Sequence, residues 1–137
     1  MNRSNKIIGN VFESYFCEYL AQRGFWVHNL AQNKAGQPAD VIAMKDRSGW
    51  LIDCKVCTQD GFRLSRVEEN QWYAMDRWIQ CVKTEPAFAI LLNDHSIYMI
   101  YHYQMLQAQK EQRYRLSNDT IKAIGTPIDD WIERVTA

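Results

Sequence analysis

Neither sign of charge is in excess in this chain: 16 Lys and Arg stand against 16 Asp and Glu. That balance removes bulk electrostatic attraction as an argument for nucleic acid or an anionic membrane, though it is compatible with a basic face beside an acidic pocket. There is no apolar run of membrane-spanning length, so no membrane association is expected. Residues 1–14 lack a signal-peptide layout, because Glu13 interrupts a stretch that is already too polar. The cysteines give little support for a zinc site either. Of the cysteines at 17, 54, 57 and 81 only Cys54 and Cys57 are close, and they fall in or just past a strand. Free thiols in a reducing, cytoplasmic compartment are expected rather than zinc. His28, His95 and His102 are scattered, and no nucleophile elbow is present, which leaves little support for a small-molecule hydrolase. Repeats, linkers and low-complexity segments are absent. The 137 residues suit a single domain, with a core over about 7–103 and a C-terminal helical extension over 104–137.

What the chain does have is periodicity. Ile8, Val11, Phe12, Tyr15, Phe16, Tyr19 and Leu20 recur at three and four, predicting a helix over 7–23 that stops at Gly24. The segment before it reads as loose, with Ser4 or Asn5 as cap. Glu13 lies at the edge of the apolar stripe. A short strand is expected over 25–30, then a polar loop over 31–38 and two strands, 39–45 and 49–55, joined by a turn. A second helix over about 65–83 carries Val67, Gln71, Ala74, Met75, Trp78, Ile79 and Val82 on one side, and Ser65 with Glu68 resembles a capping box. Strands over 87–92 and 96–103 flank a turn at Asn93-Asp94-His95, and small helices follow. The order predicts an α/β protein with a mixed central β-sheet flanked by helices.

The unusual feature is charge inside apolar strands. Asp40 opens one strand; Asp53 and Lys55 share a face of the next, while Trp50, Ile52, Cys54 and Val56 take the other. Charge buried without compensation is expensive, so the pair needs a use. A salt bridge at a sheet margin is one. A hard divalent cation held by one or two carboxylates is another, since Asp40 and Asp53 on neighbouring strands can share an ion and the Cys54 backbone carbonyl can add an oxygen.

Glu13 in Gly9-Asn10-Val11-Phe12-Glu13, Asp40 in Gln37-Pro38-Ala39-Asp40, and Asp53-Cys54-Lys55 together resemble the PD-(D/E)XK nuclease superfamily. Here Ala39 separates the proline from the aspartate. Asp60-Gly61-Phe62-Arg63-Leu64-Ser65, Glu69-Asn70-Gln71 and Pro86-Ala87-Phe88-Ala89-Ile90 resemble the segment after the catalytic lysine in RecU-like Holliday junction resolvases. The resemblance implies a restriction-endonuclease-like αβββαβ core and magnesium- or manganese-dependent cleavage of DNA, at branched or junction DNA, by a homodimer. It implies that Asp40 and Asp53 bind metal, that Glu13 supports the metal or its waters, that Lys55 positions the nucleophile, and that Gln71 contacts a phosphate or water. Candidate DNA contacts are Arg3, Lys6, Lys34, Lys45, Arg47, Arg63 and Arg66; for each, the alternative is an ordinary solvated charge. The alternative for the whole is a non-catalytic nucleic-acid-binding protein that retains the fold.

Overall fold

The computed structural model describes residues 3–30 and 39–137, with the side chains of residues 3–7 left out. Helix α1 runs Arg3–Ala21, so it begins earlier than the apolar stripe. Of the segment expected to be loose, residues 3–6, including the proposed caps Ser4 and Asn5, are its first turn, and residues 1–2 lie outside the described residues. The helix ends where the sequence indicates. Gly24 adopts φ +91°, and the N–H groups of Gly24 and Phe25 donate to the carbonyls of Ala21 and Leu20. These are the paired bonds of a Schellman stop, which favours glycine at that left-handed position.

Strand β1 is Trp26–Asn29, β2 Val41–Lys45 and β3 Ser48–Val56. They pair antiparallel, with Val41 opposite Ile52 and Lys45 opposite Ser48. The β2–β3 turn is therefore the two residues Asp46 and Arg47, both at positive φ, as a hairpin of this length requires. A two-residue strand β4, Phe62–Arg63, and a 3-10 turn at Leu64–Arg66 precede helix α2, Glu69–Val82. The capping arrangement therefore sits three residues later than the sequence suggests. Ser65 lies in the 3-10 turn, Val67 is extended, and Gln71 Oε1 reaches back to accept the Glu68 backbone N–H at 3.0 Å. Strands β5, Ala87–Leu91, and β6, Ile97–Tyr101, follow, then α3, His102–Lys110. The last stretch gives β7, Arg115–Leu116, α4, Asn118–Ile124, β8, Thr126–Pro127, and α5, Ile128–Val135.

The main sheet has six strands in the order β1-β2-β3-β5-β6-β8, and β4 pairs with β7 in a small second sheet. Among the described residues only the β3–β5 pairing is parallel, and the crossover it demands contains α2. The result is a mixed α/β sheet flanked by helices. One cluster packs Phe12, Phe16 and Leu20 of α1 and Trp131 of α5 against Trp50, Ile52 and Cys54. The other packs Met75, Met105, Ala108 and Ile121, from α2, α3 and α4, against Leu51, Phe88, Ile90 and Ile100. Strand β3 is buried on both faces, and Asp53 and Lys55 share Leu51's face, under α2. The last third contributes Leu116, Ile121, Ile128 and Trp131 to the two clusters. No helix among the described residues is long and apolar enough to cross a membrane.

Candidate active site

A cavity of about 780 Å3 opens where α1, the start of β2, the end of β3 and the first turn of α2 converge, lined by Glu13, Asp40, Asp53, Lys55, Arg66 and Gln71 among others. Each residue arrives there for a local reason. The strand alternation of β3 aims Asp53 and Lys55 together. Asp40 stands one residue before β2, and its backbone N–H donates to the Ile52 carbonyl at 3.2 Å, which holds it against β3. Gln71 is placed by its position in the opening turn of α2, where its carbonyl oxygen also caps the helix. Glu13 comes in from α1 at the edge of the stripe formed by Phe12 and Phe16.

At the floor, Asp53 is 1% exposed. Its Oδ1 accepts from Gln71 Nε2 at 3.1 Å. Its Oδ2 lies 3.1 Å from Lys55 Nζ yet has no aligned hydrogen bond, although it is buried. Lys55 Nζ donates to the Arg66 carbonyl at 3.0 Å and to Gln71 Oε1 at 3.3 Å. Gln71 thus bridges the aspartate and the lysine, a closer role than the phosphate or water contact expected of it. Asp40 Oδ2 accepts the Cys54 backbone N–H at 2.8 Å. The N–H and C=O of one strand residue point toward the same neighbour, so the Cys54 carbonyl is directed to the Asp40 side of β3 as well.

The electrostatics are those of a site short of positive charge. Burial, above all, pushes the Asp53 carboxyl well above the ordinary carboxylate range; Lys55 opposes that shift and Asp40 adds to it. Glu13 is pushed up to about 7 by burial and then by the Asp40 carboxylate, with Lys55 acting the other way. Among the described residues no three His, Cys, Asp or Glu side chains form a ready-made metal cage. The residues nevertheless fit a hard divalent cation of the kind that keeps several waters, which needs only one or two carboxylates. Asp53 Oδ2, buried beside Asp40 and ion-paired to Lys55 without an aligned hydrogen bond, is the oxygen such an ion would bind.

Arg63 and Arg66 line the cavity. Arg66 Nη1 donates to the Val56 carbonyl at 2.8 Å, which holds one edge of its guanidinium, and Arg63 lies over the Tyr114 ring. Lys45 is not brought there. It closes the opposite end of β2, ~16 Å of strand from Asp40, where its Nζ donates to the Arg23 carbonyl at the end of α1. Arg47 sits in the turn beyond it. The Arg3 and Lys6 side chains and all of Lys34 lie outside the described residues. Sequence reasoning missed Thr58 and Gln59, which line the cavity just past Lys55. Their only signal was their place after the motif lysine.

A family model described as the archaeal Holliday junction resolvase (hjc) matches residues 4–137. The fold is similar to that of Archaeoglobus fulgidus Hjc, a Holliday junction resolvase from an archaeal hyperthermophile. The TM-score is 0.67 at 15% identity, over 88% of this chain and 96% of that one. No curated protein sequence matches the chain.

Proposed function

The chain belongs to the archaeal Holliday junction resolvase family, and from that premise we propose that it is a metal-dependent endonuclease that hydrolyses DNA phosphodiester bonds at branched, four-way junctions. The observation that carries this reading is the buried Asp53–Gln71–Lys55 chain, set beside Asp40 with Asp53 Oδ2 ion-paired to Lys55 but holding no aligned hydrogen bond.

In this reading Asp40, Asp53 and the Cys54 carbonyl hold magnesium or manganese, and Glu13 supports it through water. When bound, such an ion lowers the pKa of a water and stabilises the charge that builds on the phosphoryl oxygens. The chain's own groups do the rest. Gln71 Oε1 and the Arg66 carbonyl hold Lys55 Nζ at the edge of the cavity, where it donates to the attacking water or the phosphate. Arg63 and Arg66 contact phosphates and set the register of the backbone.

Resolving a four-way junction takes two symmetry-related cuts, and one chain carries one such cavity, so the working unit is read as a homodimer. An exposed apolar surface away from the cavity supports this. Trp26 and Met44 are cross-strand partners, both exposed, on the face of β1–β2 shared by Ile42. Ile42 in turn lines a groove with Tyr73 and Val82 of α2, which are also exposed. Patches of this kind mark association surfaces.

The test is a substrate panel of linear, flap and four-way DNA with magnesium or manganese. Preferential cutting of the four-way DNA is expected. A chain that binds these DNAs and cuts none is a non-catalytic binder that keeps the fold, and the proposal fails.

A further inference from the structure

The connection from β3 to β4, residues 57–61, is a wall of the cavity: Thr58, Gln59 and Gly61 all line it, within a few residues of Lys55. Thr58, Gln59 and Asp60 are exposed, and loops of this kind are ordinarily the most mobile part of a site. This one is held at both ends. At its start the Cys57 N–H donates to the Leu91 carbonyl at 2.8 Å, at the end of β5. At its far end it is tied to residues more than 50 positions later in the chain. Arg115 Nη1 donates both to Asp60 Oδ2, at 3.0 Å, and to the Asp60 backbone carbonyl. The Asn118 N–H donates to Asp60 Oδ1 at 3.2 Å, and Asn118 Oδ1 accepts the Gly61 N–H at 2.8 Å. Asn118 Nδ2 then donates to Asn93 Oδ1 at 2.9 Å, which anchors the latch on the β5–β6 turn.

The backbone is shaped for this contact. Gly61 has φ +90°, and a Cβ there would come within 2.6 Å of the Leu116 carbonyl oxygen. The same ribbon carries the basic rim, since β7 pairs with β4, Arg115 standing opposite Arg63. These bonds are too exposed to add much to stability. They satisfy every acceptor of Asp60 and leave Thr58 and Gln59 offering a hydroxyl and an amide toward the cavity from a fixed backbone.

We propose that Asp60, Arg115 and Asn118 are positioning residues, which fix the Thr58–Gln59 wall so that it aligns the DNA strand over Asp53 and Lys55. This rests on the nuclease reading above. It gives the last third of the chain a part in selecting which phosphodiester is cut, without touching the reacting atoms.

The experiment compares wild type with Asp60→Ala, Asn118→Ala and Asp60→Asn. It reads single-turnover cleavage of a four-way junction, the mapped cut positions, junction Kd without divalent metal, and Tm. For the two alanine variants we expect the cleavage rate to fall about 10-fold or more, the scale of a small misplacement in a remote substitution. Cut positions should spread to neighbouring phosphates, with Kd and Tm nearly unchanged. Asp60→Asn keeps an acceptor for the Asn118 N–H and should recover most of the rate and the single cut position. Alanine variants that cut at the wild-type rate and position overturn the latch, as does a rate that falls only in step with Kd and Tm. A wild type that cuts nothing is a different result, since it removes the nuclease reading itself.

Discussion

Gln71 Nε2 donates to Asp53 Oδ1 at 3.1 Å, across 18 residues of chain, while the same side chain's oxygen accepts from Lys55 Nζ and from the Glu68 N–H. One amide therefore orients the carboxylate and the ammonium and closes the first turn of α2. Gln71→Ala should lower cleavage by about 10- to 100-fold, the usual effect of removing a group that orients metal ligands. It should also reduce stability by ~1 kcal/mol through the lost cap. Junction affinity should hold. Cleavage assays alongside chemical denaturation check all three.

Asp53→Asn separates chemistry from DNA binding. Cleavage should disappear and DNA binding remain, because Asp53 is buried in the floor and the candidate phosphate contacts Arg63 and Arg66 are elsewhere. In metal-free buffer the variant should be no more stable than wild type, because the substitution removes the carboxylate that partners the largely buried Lys55 ammonium. Magnesium should raise the Tm of wild type and leave the variant unmoved. Residual nuclease activity in purified Asp53→Asn protein would sink the assigned mechanism.

Basic residues at the cavity and at the far end of β2 should behave differently. Arg63→Ala or Arg66→Ala should weaken junction binding across sequences and reduce the salt slope by about 1. Lys45→Ala should leave affinity and slope unchanged, since its ammonium is engaged with the Arg23 carbonyl far from the cavity. Titrations of labelled junction at several salt concentrations distinguish the three.

The exposed surface of Tyr73, Val82, Trp26 and Met44 predicts a change in assembly. Tyr73→Asp should convert a dimer to a monomer in sedimentation while preserving the circular dichroism spectrum. A wild type that sediments as a monomer at every concentration removes the homodimer from the mechanism.

His102 supplies a pH dependence outside the site. It is 2% exposed, and its Nε2 has no aligned hydrogen bond, although Asp76 Oδ1 lies 3.4 Å away. Burial holds its pKa below the ordinary 6.5, with Asp76 and Glu85 opposing that shift in part. As pH falls through 6.5 the unfolded chain takes up a proton that the folded chain does not, so stability falls there and levels off below the depressed folded pKa. Denaturation between pH 7 and 5 should show a smaller loss for His102→Gln than for wild type.

Much of this was legible in the sequence, and the reasons it stopped are specific. The three- and four-residue spacing of Phe12, Phe16 and Leu20 and the alternation through Trp50, Ile52 and Cys54 are local signals, and the structure uses them directly. Asp53 and Lys55 sharing a face followed from the same alternation. The capping signal misled because Ser65 and Glu68 have the right types, but Leu64–Arg66 closes into a 3-10 turn first. Lys45 could have been set apart from Asp40 by counting along β2. Asp60 meeting Arg115 and Asn118 could not be found locally, since it depends on β4 pairing with β7 some 50 residues away. Nor could the raised pKa of Glu13, which comes from burial by elements not adjacent in sequence.

The two-residue turn at Asp46 and Arg47 lies at the end of the β2–β3 hairpin away from the cavity, yet it decides which way the chemistry faces. A slip of one residue in the pairing this turn sets would rotate every side chain of β3 to the opposite surface. Asp53 and Lys55 would then point at α1, and the apolar trio Trp50, Ile52 and Cys54 would meet Gln71. The turn acts as an index pin, and its two left-handed residues hold the setting.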